Sequence, residues 1–166
     1  MTKLLLIQPN IRRYRADFFE LLSQSYDVTV VHFGVDESLP SPSYDVVKLG
    51  SGPLGYFFSI PQLLLLQLSH DLTIAVFDVH YFNVFLTTIL SSFFKPIVLW
   101  GQGLGRSDIG RKLRCIWLKF SASVLVYGHN GYLDISSTKF PLRKIFIANN
   151  TQIVNGSRDT SKLPKT

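Results

Sequence analysis

Short apolar runs alternate with longer amphipathic segments along most of this chain. Runs rich in leucine, isoleucine and valine predict strands at residues 3–8, 27–33, 45–49, 72–77, 96–100, 123–127 and 144–148. Between them, apolar residues recur at helical spacing and predict helices at residues 13–25, 57–69, 81–94, 108–120 and 130–139. Pro61 fits the second of these helices only in its first turn or at a kink.

Strands that alternate with helices predict a parallel sheet, because parallel neighbours need crossover connections. We therefore predict a single α/β domain, a Rossmann-like parallel sheet of about six to seven strands with helices on both faces. This domain is expected to fill residues 1–151. Residues 152–166 are polar, with little apolar patterning, and are expected to form a flexible tail or an interdomain linker.

The composition restricts the classes of protein to which the chain can belong. Its 166 residues have the length of one domain, and 46% of them are hydrophobic against 17% charged. The formal net charge of +6 favours anionic partners such as phosphate groups or acidic lipid surfaces. Because this charge is spread along the chain, with one small cluster at residues 12–15, nucleic acid is not an expected partner.

The single cysteine and the lengths of the apolar runs bear on the compartment. Cys115 lies in a predicted helix as a small buried residue, and one cysteine excludes an internal disulfide and a multi-cysteine metal site. No apolar stretch approaches the ~20 residues that span a bilayer, and the run at residues 4–7 is too short for a signal peptide. We expect a cytoplasmic protein without metal or cofactor, whose surplus apolar residues permit peripheral contact with the inner membrane.

In an open parallel sheet, ligands bind at the carboxyl ends of the strands, so the loops that follow the strands carry the candidate residues. Cationic, aromatic and amide side chains converge there. The candidates are Arg12, Arg13, Tyr14 and Arg15 after the first strand, Asp78, His80 and Tyr81 after the fourth, Gly101, Gln102, Gly103 and Arg106 after the fifth, and Asn149 and Asn150 after the last. The sequence therefore predicts a polar site at one edge of an apolar sheet.

Several candidates also have a purely structural interpretation. Arg12, Arg13 and Arg15 are either solvated charges on a first helical turn or ligands for an anion. Cations fit poorly against the positive end of a helix dipole, which favours the anion. Asp78 either caps the following helix or acts as a base, and His80 is either structural or a general base.

Glycines at alternate positions, Gly101, Gly103 and Gly105, follow the fifth strand. They serve either a tight turn or a close approach of the backbone to a ligand. Their spacing is G-x-G-x-G and the loop after the first strand has no glycine, which excludes a dinucleotide site for NAD or FAD. Arg106 is the expected contact for an anion at this loop.

Two parts of the chain resemble the amino-terminal half of glycosyltransferase family 4, the retaining enzymes of the GT-B fold. They are the opening QPNIRRYRADFFELLSQSYDVTVVHFG and the segment IVLWGQGLGRSDIGRKLRCIWLKFSASVLVYGHNGYLDISSTKFPLRKIFIANNTQ. The matching pieces are residues 100–103, Tyr127 with Gly128, and residues 148–151, in the order and spacing typical of the family. The resemblance covers residues 1–152.

The resemblance implies the acceptor-binding half of a glycosyltransferase of polysaccharide or glycolipid biosynthesis. Such an enzyme transfers a sugar from a nucleotide sugar to a glycan or a lipid-linked acceptor at the inner membrane. In that family the nucleotide sugar and a paired-glutamate motif belong to a second domain, which is not found in this sequence. We therefore expect the chain to be inactive alone and to act with a donor-binding domain located downstream or on a separate chain.

One position departs from the family pattern. Where the family often has histidine, this chain has Gln102, whose amide can hydrogen-bond a sugar hydroxyl but takes up no proton. If transfer needs a base, His80 or Asp78 has to supply it. In retaining transfer of the family's type, the departing phosphate can accept the proton instead.

Two other classes of function stay open. The chain could be a non-catalytic assembly subunit that pairs with a separate donor-binding chain, which its surplus of apolar residues permits. It could also be an unrelated Rossmann-like domain for a small anion, which its positive charge permits. Co-purification of a donor-binding chain identifies the first, and calorimetry with nucleotides and lipid-linked sugars identifies the second.

Overall fold

A computed structural model describes residues 1–148 of the chain and confirms the predicted Rossmann-like α/β fold. In these residues, seven parallel strands form one sheet, accompanied by five α-helices and a short 3-10 helix at Leu142–Lys144. The strands are β1 (Lys3–Gln8), β2 (Asp27–His32), β3 (Asp45–Lys48), β4 (Leu72–Val76), β5 (Ile97–Gly101), β6 (Ser123–Val126) and β7 (Ile145–Ile147). The helices are α1 (Arg13–Ser23), α2 (Gly52–Ser69), α3 (Phe82–Ser91), α4 (Asp108–Leu118) and α5 (His129–Ser136).

The strand order is β3-β2-β1-β4-β5-β6-β7, so the chain reverses its direction across the sheet between β1 and β4. In register, Leu6 pairs with Ile74 and Ile74 pairs with Val98, which aligns the ends of the central strands. The loops that follow β1, β4, β5 and β6 therefore meet along one border of the sheet, which we term the carboxyl edge. Sheets of this type bind ligands at that edge, close to the point of reversal.

Alternate residues of the strands supply two separate cores. On one face, Leu6 of β1 packs with Phe19 of α1, and both are fully buried. On the other face, Leu5 belongs to a larger core that includes Leu63 of α2 and Trp117 of α4. Burying one aliphatic or aromatic side chain of this size stabilises the fold by about 1.5–3 kcal/mol. Helices thus lie on both faces, as predicted, with α1 on one face and α2 and α4 on the other.

Helix α2 begins at Gly52, whereas the sequence pattern predicts a start at residue 57. The segment GSGPLG has the composition of a turn, but Pro53 lies in the first turn of the helix, where its missing N–H is not needed. Pro61 lies inside the helix and removes one backbone hydrogen bond there. The helix continues past it because Leu63 and Gln67 are fully buried on its inner face.

Some predictions concern residues that the structure does not describe. The predicted domain end at residue 151 and the predicted tail at residues 152–166 both lie outside residues 1–148. Among the described helices, none is long and apolar enough to cross a membrane. Cys115, predicted to be buried, is only partly buried in α4, because it borders a surface groove with Leu118 and Lys119.

Candidate binding site at the carboxyl edge

Two cavities lie next to each other at the carboxyl edge. The larger, of about 650 Å³, is lined by Tyr14, Arg15, Gln102, Tyr127, Gly128, His129, Asn130 and Gly131. The smaller, of about 250 Å³, is lined by Val76, Phe77, Asp78, Trp100, Gly101, Gln102, Gly103, Gly105, Arg114 and Tyr127. Gln102 and Tyr127 border both. The structure therefore brings together residues from the loops after β1, β4, β5 and β6, as the sequence predicts.

Arg15 is the predicted arginine that reaches the larger cavity. Its guanidinium donates to Gln8 Oε1 and, over 3.0 Å, to the hydroxyl of Tyr127. The guanidinium carbon also lies 5.0 Å from the centre of the Trp100 ring and 5.8 Å from that of Tyr127, close enough for cation–π attraction. Arg15 is thus held by residues of β1, β5 and the loop after β6, and its position is fixed before any ligand binds.

Arg12 and Arg13 are engaged elsewhere. Arg12 forms an ion pair with Glu37 at 3.0 Å, and the backbone N–H of Arg13 donates to the same carboxylate over 3.1 Å. The hydrogen bond from Arg13, and then the one from Arg12, lower the pKa of Glu37. The first turn of α1 therefore already has an anion, the carboxylate of Glu37, and neither arginine is among the residues lining the two cavities.

The conformation and packing of the loop at the end of β5 explain why glycine occupies three of its positions. A Cβ on Gly101 would lie 2.9 Å from Cβ of Phe77, so the neighbouring strand leaves no room for a side chain. Gly103 and Gly105 have φ angles of 120° and 77°, in the region that side chains disfavour. The tight turn is therefore present. A role of Gly101 and Gly103 in approaching a ligand stays a prediction.

Two side chains that the sequence did not single out hold this loop. Asp134 of α5 accepts the N–H of Leu104 over 2.7 Å and pairs with Arg111 at 2.8 Å. Arg114 of α4 donates to the carbonyl of Leu104 over 2.9 Å and also reaches Asp78. Arg114 lies 10 residues beyond Leu104 and Asp134 lies 30 residues beyond it, and no local pattern marks them.

Asp78 and His80 are brought together at the rim of the smaller cavity. The imidazole Nδ1 of His80 lies 2.7 Å from Oδ1 of Asp78, and the guanidinium of Arg114 lies 3.3 Å from the same oxygen. Asp78 does not cap α3, because that helix begins at Phe82 and no side chain caps it. Instead, Oδ1 accepts the backbone N–H of His80 and stabilises the turn. The cap interpretation of Asp78 is therefore wrong.

The remaining predicted residues lie at or beyond the border of the site. The ring of Tyr81 packs on Phe33 and Tyr56 in the larger core, and burial raises the pKa of its hydroxyl. Arg106 is exposed and is not among the residues lining the two cavities. Asn149 and Asn150 lie outside the described residues. Their roles in binding an acceptor stay predictions.

The site offers hydrogen-bond donors and aromatic surfaces. Among the eight residues of the larger cavity there is one permanent cation, Arg15, and no carboxylate. In residues 1–148, no group of three or more His, Cys, Asp or Glu is placed to hold a metal ion. Such a cavity suits oxygen-rich ligands such as sugars and phosphates, since hydroxyl and phosphate oxygens accept from these donors.

No protein-family model and no curated protein sequence matches the chain. Solved structures do match its fold. HepE of Anabaena, solved with UDP and glucose, has a TM-score of 0.67 at 13% identity, over 90% of this chain and 45% of that protein. The UDP-GlcNAc 2-epimerase of Methanocaldococcus jannaschii has a TM-score of 0.58 at 16% identity, over 89% of this chain and 45% of that protein. The lipopolysaccharide outer core galactosyltransferase WaaB has a TM-score of 0.59 at 13% identity, over 87% of this chain and 44% of that protein.

The likeness at these identities establishes the fold, a Rossmann-like domain of the type found in GT-B glycosyltransferases and epimerases. This chain covers less than half the length of each of the three proteins, between 44% and 45%. Because one fold carries many activities, function has to come from the residues of the site.

Proposed function

We propose that this chain is the acceptor-binding half of a glycosyltransferase that moves a sugar from a nucleotide sugar to a glycan or lipid-linked acceptor. The observation that carries the proposal is the larger cavity, where Arg15, Gln102 and Tyr127 meet at the carboxyl edge. Its donors and aromatic rings suit a sugar, since rings stack on apolar sugar faces and donors meet hydroxyls. Of three similar folds, one was solved with UDP and glucose, one is a UDP-GlcNAc 2-epimerase and one is a galactosyltransferase, which supports the same general area of chemistry.

The chain is proposed to act with a second, donor-binding half. Glycosyl transfer needs the donor and acceptor held together, water excluded and the leaving diphosphate stabilised by cations or helix termini. Both cavities are open to solvent on the surface of one domain, so neither excludes water from a bound ligand by itself. The chain alone is therefore expected to bind an acceptor without turning over a nucleotide sugar.

Gln102 is proposed to orient an acceptor hydroxyl. Its side chain is exposed and borders both cavities, so a hydroxyl bound there lies between them. Glutamine takes up no proton at neutral pH. The neighbouring Asp78 and His80, joined at 2.7 Å, are the proposed base if the leaving phosphate does not take the proton.

The proposal is tested by a binding panel on the purified 166-residue chain. Calorimetry is carried out with UDP-glucose, UDP, neutral oligosaccharides and short-chain analogues of lipid-linked sugars. We expect the acceptor analogues to bind more tightly than either nucleotide, and Gln102→Ala to weaken that binding. Tightest binding of the nucleotide sugar, or its hydrolysis or transfer by the chain alone, would contradict the proposal.

A second candidate is an assembly subunit that pairs with a separate donor-binding chain. Helix α1 packs on one face of the sheet, over β1. On the same face, Leu125 of β6 is only partly buried, and Phe146, its partner in β7, is 52% exposed. Parallel sheets are normally covered on both faces, so this surface favours a partner. Co-purification with a donor-binding chain, with transfer restored in the mixture, supports pairing. A Phe146→Asp variant should then lose both the co-purification and the restored transfer.

Peripheral contact with the inner membrane is a further part of the proposal. Phe57 and Phe58 of α2 are 67% and 74% exposed, and Leu54 is 74% exposed on the same helix. Aromatic side chains favour the membrane interface, and the net charge of +6 favours anionic lipids. Flotation with anionic vesicles should recover the chain, and Phe57→Ser with Phe58→Ser should abolish recovery. Equal recovery of the variant would contradict this contact.

A further inference from the structure

A surface groove of about 560 Å³ lies at the border of the sheet where β6 and β7 begin, opposite the carboxyl edge. The segment between α4 and β6 supplies Lys119 and Ser121, and the segment between α5 and β7 supplies residues 138–141 and Lys144. We term it the amino-edge groove. None of the described residues that line it also borders the two cavities of the candidate binding site, so the groove is a separate feature.

The floor of the amino-edge groove is apolar. Cys115 and Leu118 of α4 line it together with Phe140 and Pro141. Leu118 is 2% exposed and belongs to the larger core, so the floor is a fixed part of the fold. The volume of the groove lies within the range of pockets that take small molecules, about 300–1,000 Å³. The groove therefore suits a small ligand with an apolar body.

The two hydroxyl groups of the groove already serve the backbone. Ser121 Oγ donates to the carbonyl of Leu118 over 2.9 Å, at the end of α4. Thr138 Oγ1 donates to the carbonyl of Ile135 over 2.7 Å, near the end of α5, and accepts the N–H of Phe140 over 3.1 Å. These hydrogen bonds hold the two segments in place, and the lysines of the groove are left to meet a polar group of a ligand.

Among the described residues, three lysines line the groove, Lys119, Lys139 and Lys144, and no residue with a carboxylate does. None of the ion pairs in residues 1–148 involves these lysines. The carboxyl-terminal ends of α4 and α5 lie beside the groove, and their dipoles together amount to about one negative charge. Three ammonium groups exceed that charge, so the groove is positive overall and favours an anion.

We propose that the amino-edge groove binds a small amphiphilic carboxylate, an apolar chain or ring that ends in one carboxylate group. The apolar body lies on Leu118 and Phe140, and the carboxylate accepts hydrogen bonds from the lysines. Arginine and the amino termini of α-helices, which are frequent partners of phosphate, are absent from the described lining, and this favours a carboxylate. The proposal goes beyond the proposed function and does not depend on it.

Cys115 reports occupancy directly, because it lines the groove and is the only cysteine of the chain. Its rate of reaction with a maleimide is measured on the full chain with decanoate, decanol, decyltrimethylammonium and decyl phosphate, each below its micelle concentration. We expect decanoate to slow the reaction and to bind at least about tenfold more tightly than decanol, with weaker binding at high salt. Equal protection by the cationic amphiphile, or tighter binding of decyl phosphate, overturns the proposal.

Charge variants test the lysines. Lys119→Gln combined with Lys139→Gln should weaken decanoate binding at least about tenfold, because the carboxylate loses charged donors. The matched control, Lys112→Gln combined with Arg143→Gln, removes the same charge at positions that do not line the groove. It should change binding less than about twofold, since salt screens distant charges. All four positions are exposed, so both variants should fold. Equal weakening in the two variants overturns the proposal.

Two further measurements separate the groove from other surfaces. Amide NMR signals of residues 118–121 and 138–144 should shift with decanoate, and shifts confined to the carboxyl edge overturn the proposal. Phosphatidylglycerol vesicles are tested in the maleimide assay beside monomeric decanoate. Protection by the vesicles without protection by decanoate identifies a lipid surface as the partner and overturns the proposal. Neither outcome bears on acceptor binding at the carboxyl edge, so the proposed function is judged separately.

Discussion

At the carboxyl edge, single residues hold the loop after β5 in place. A Cβ on Gly101 would lie 2.9 Å from Cβ of Phe77, and Asp134 accepts the N–H of Leu104 over 2.7 Å. A substitution at Gly101 should therefore lower stability through packing, and a substitution at Asp134 should lower it through a lost hydrogen bond. Each can be compared with a matched control variant.

Gly101→Ala should destabilise the chain by about 1–3 kcal/mol, the usual effect of overfilling a packed site. The new Cβ would lie 2.9 Å from Cβ of Phe77 and 3.2 Å from its carbonyl oxygen. Gly128→Ala is the control, because its Cβ meets no atom within 4 Å. Urea unfolding followed by circular dichroism measures both. Equal midpoints for the two variants would show that Gly101 is not confined as described.

Asp134→Ala should destabilise by about 1–3 kcal/mol, because the N–H of Leu104 loses its acceptor. Arg111→Ala removes only the partly exposed ion pair at 2.8 Å and should cost less than about 1 kcal/mol. Thermal unfolding of the two variants separates the hydrogen bond from the ion pair. A larger loss for Arg111→Ala would reverse this assignment.

His32 should make stability depend on pH. It is fully buried at the end of β2, and this burial lowers its pKa, although Asp36 opposes the shift. The unfolded chain takes up a proton near pH 6.5, at the ordinary pKa of histidine, and the folded chain does so only at lower pH. The free energy of unfolding should therefore fall as the pH drops below about 6.5.

His32→Leu should remove this dependence between about pH 7 and pH 5, since no titrating group remains at that position. His129→Gln, at an exposed histidine, should keep the wild-type slope. Urea midpoints measured at several pH values give the comparison. A wild-type slope in His32→Leu would assign the acid sensitivity to another group.

At the scale of the element, helices α2 and α3 meet along a polar seam. Asn83 of α3 donates to Ser59 of α2 over 2.8 Å. Thr88 of α3 accepts the indole N–H of Trp117 over 2.7 Å, which joins α3 to α4. Gln67 lies fully buried with both atoms of its amide group unpartnered. Oδ1 of Asn83 also has no partner, so satisfied hydrogen bonds and unpartnered amide atoms occur side by side on these helices.

Gln67→Leu should stabilise the chain by about 1 kcal/mol or more, because leucine has similar volume and no polar group to leave unpaired. Gln62→Leu, at an exposed position of the same helix, should stay within about 0.5 kcal/mol of wild type. Calorimetric unfolding checks both. Marked loss of stability in Gln67→Leu would show that the amide has a partner that the seam does not reveal.

The elements also show what the sequence could predict. Seven strands and five helices follow from apolar periodicity, since buried strands and amphipathic helices leave local patterns. The predicted start of α2 at residue 57 is wrong: the helix begins at Gly52, because Pro53 in a first helical turn looks like a turn residue. The contact of Arg15 with Tyr127 joins positions 112 residues apart, and no local pattern encodes it. The sequence could therefore place several candidate residues at the carboxyl edge, while the contacts among them are visible only in the structure.

At the scale of the whole molecule, the protein has one sheet with an open carboxyl edge. The chain covers between 44% and 45% of the length of each of the three similar structures. Two cavities lie at that edge, and neither encloses a ligand fully. The open edge fits the proposal that this domain holds an acceptor and presents it to a donor-binding half. Acceptor binding without turnover is the property that separates this proposal from a complete enzyme.

The most direct measurement is an amide NMR titration of the 166-residue chain with a short-chain lipid-linked sugar, run beside one with UDP-glucose. We predict shifts at residues 101–103 and 128–131 with the acceptor analogue, small shifts with UDP-glucose, and no release of UDP from it. Strong shifts with UDP-glucose accompanied by UDP release, or acceptor shifts confined to other parts of the chain, would contradict the proposed function.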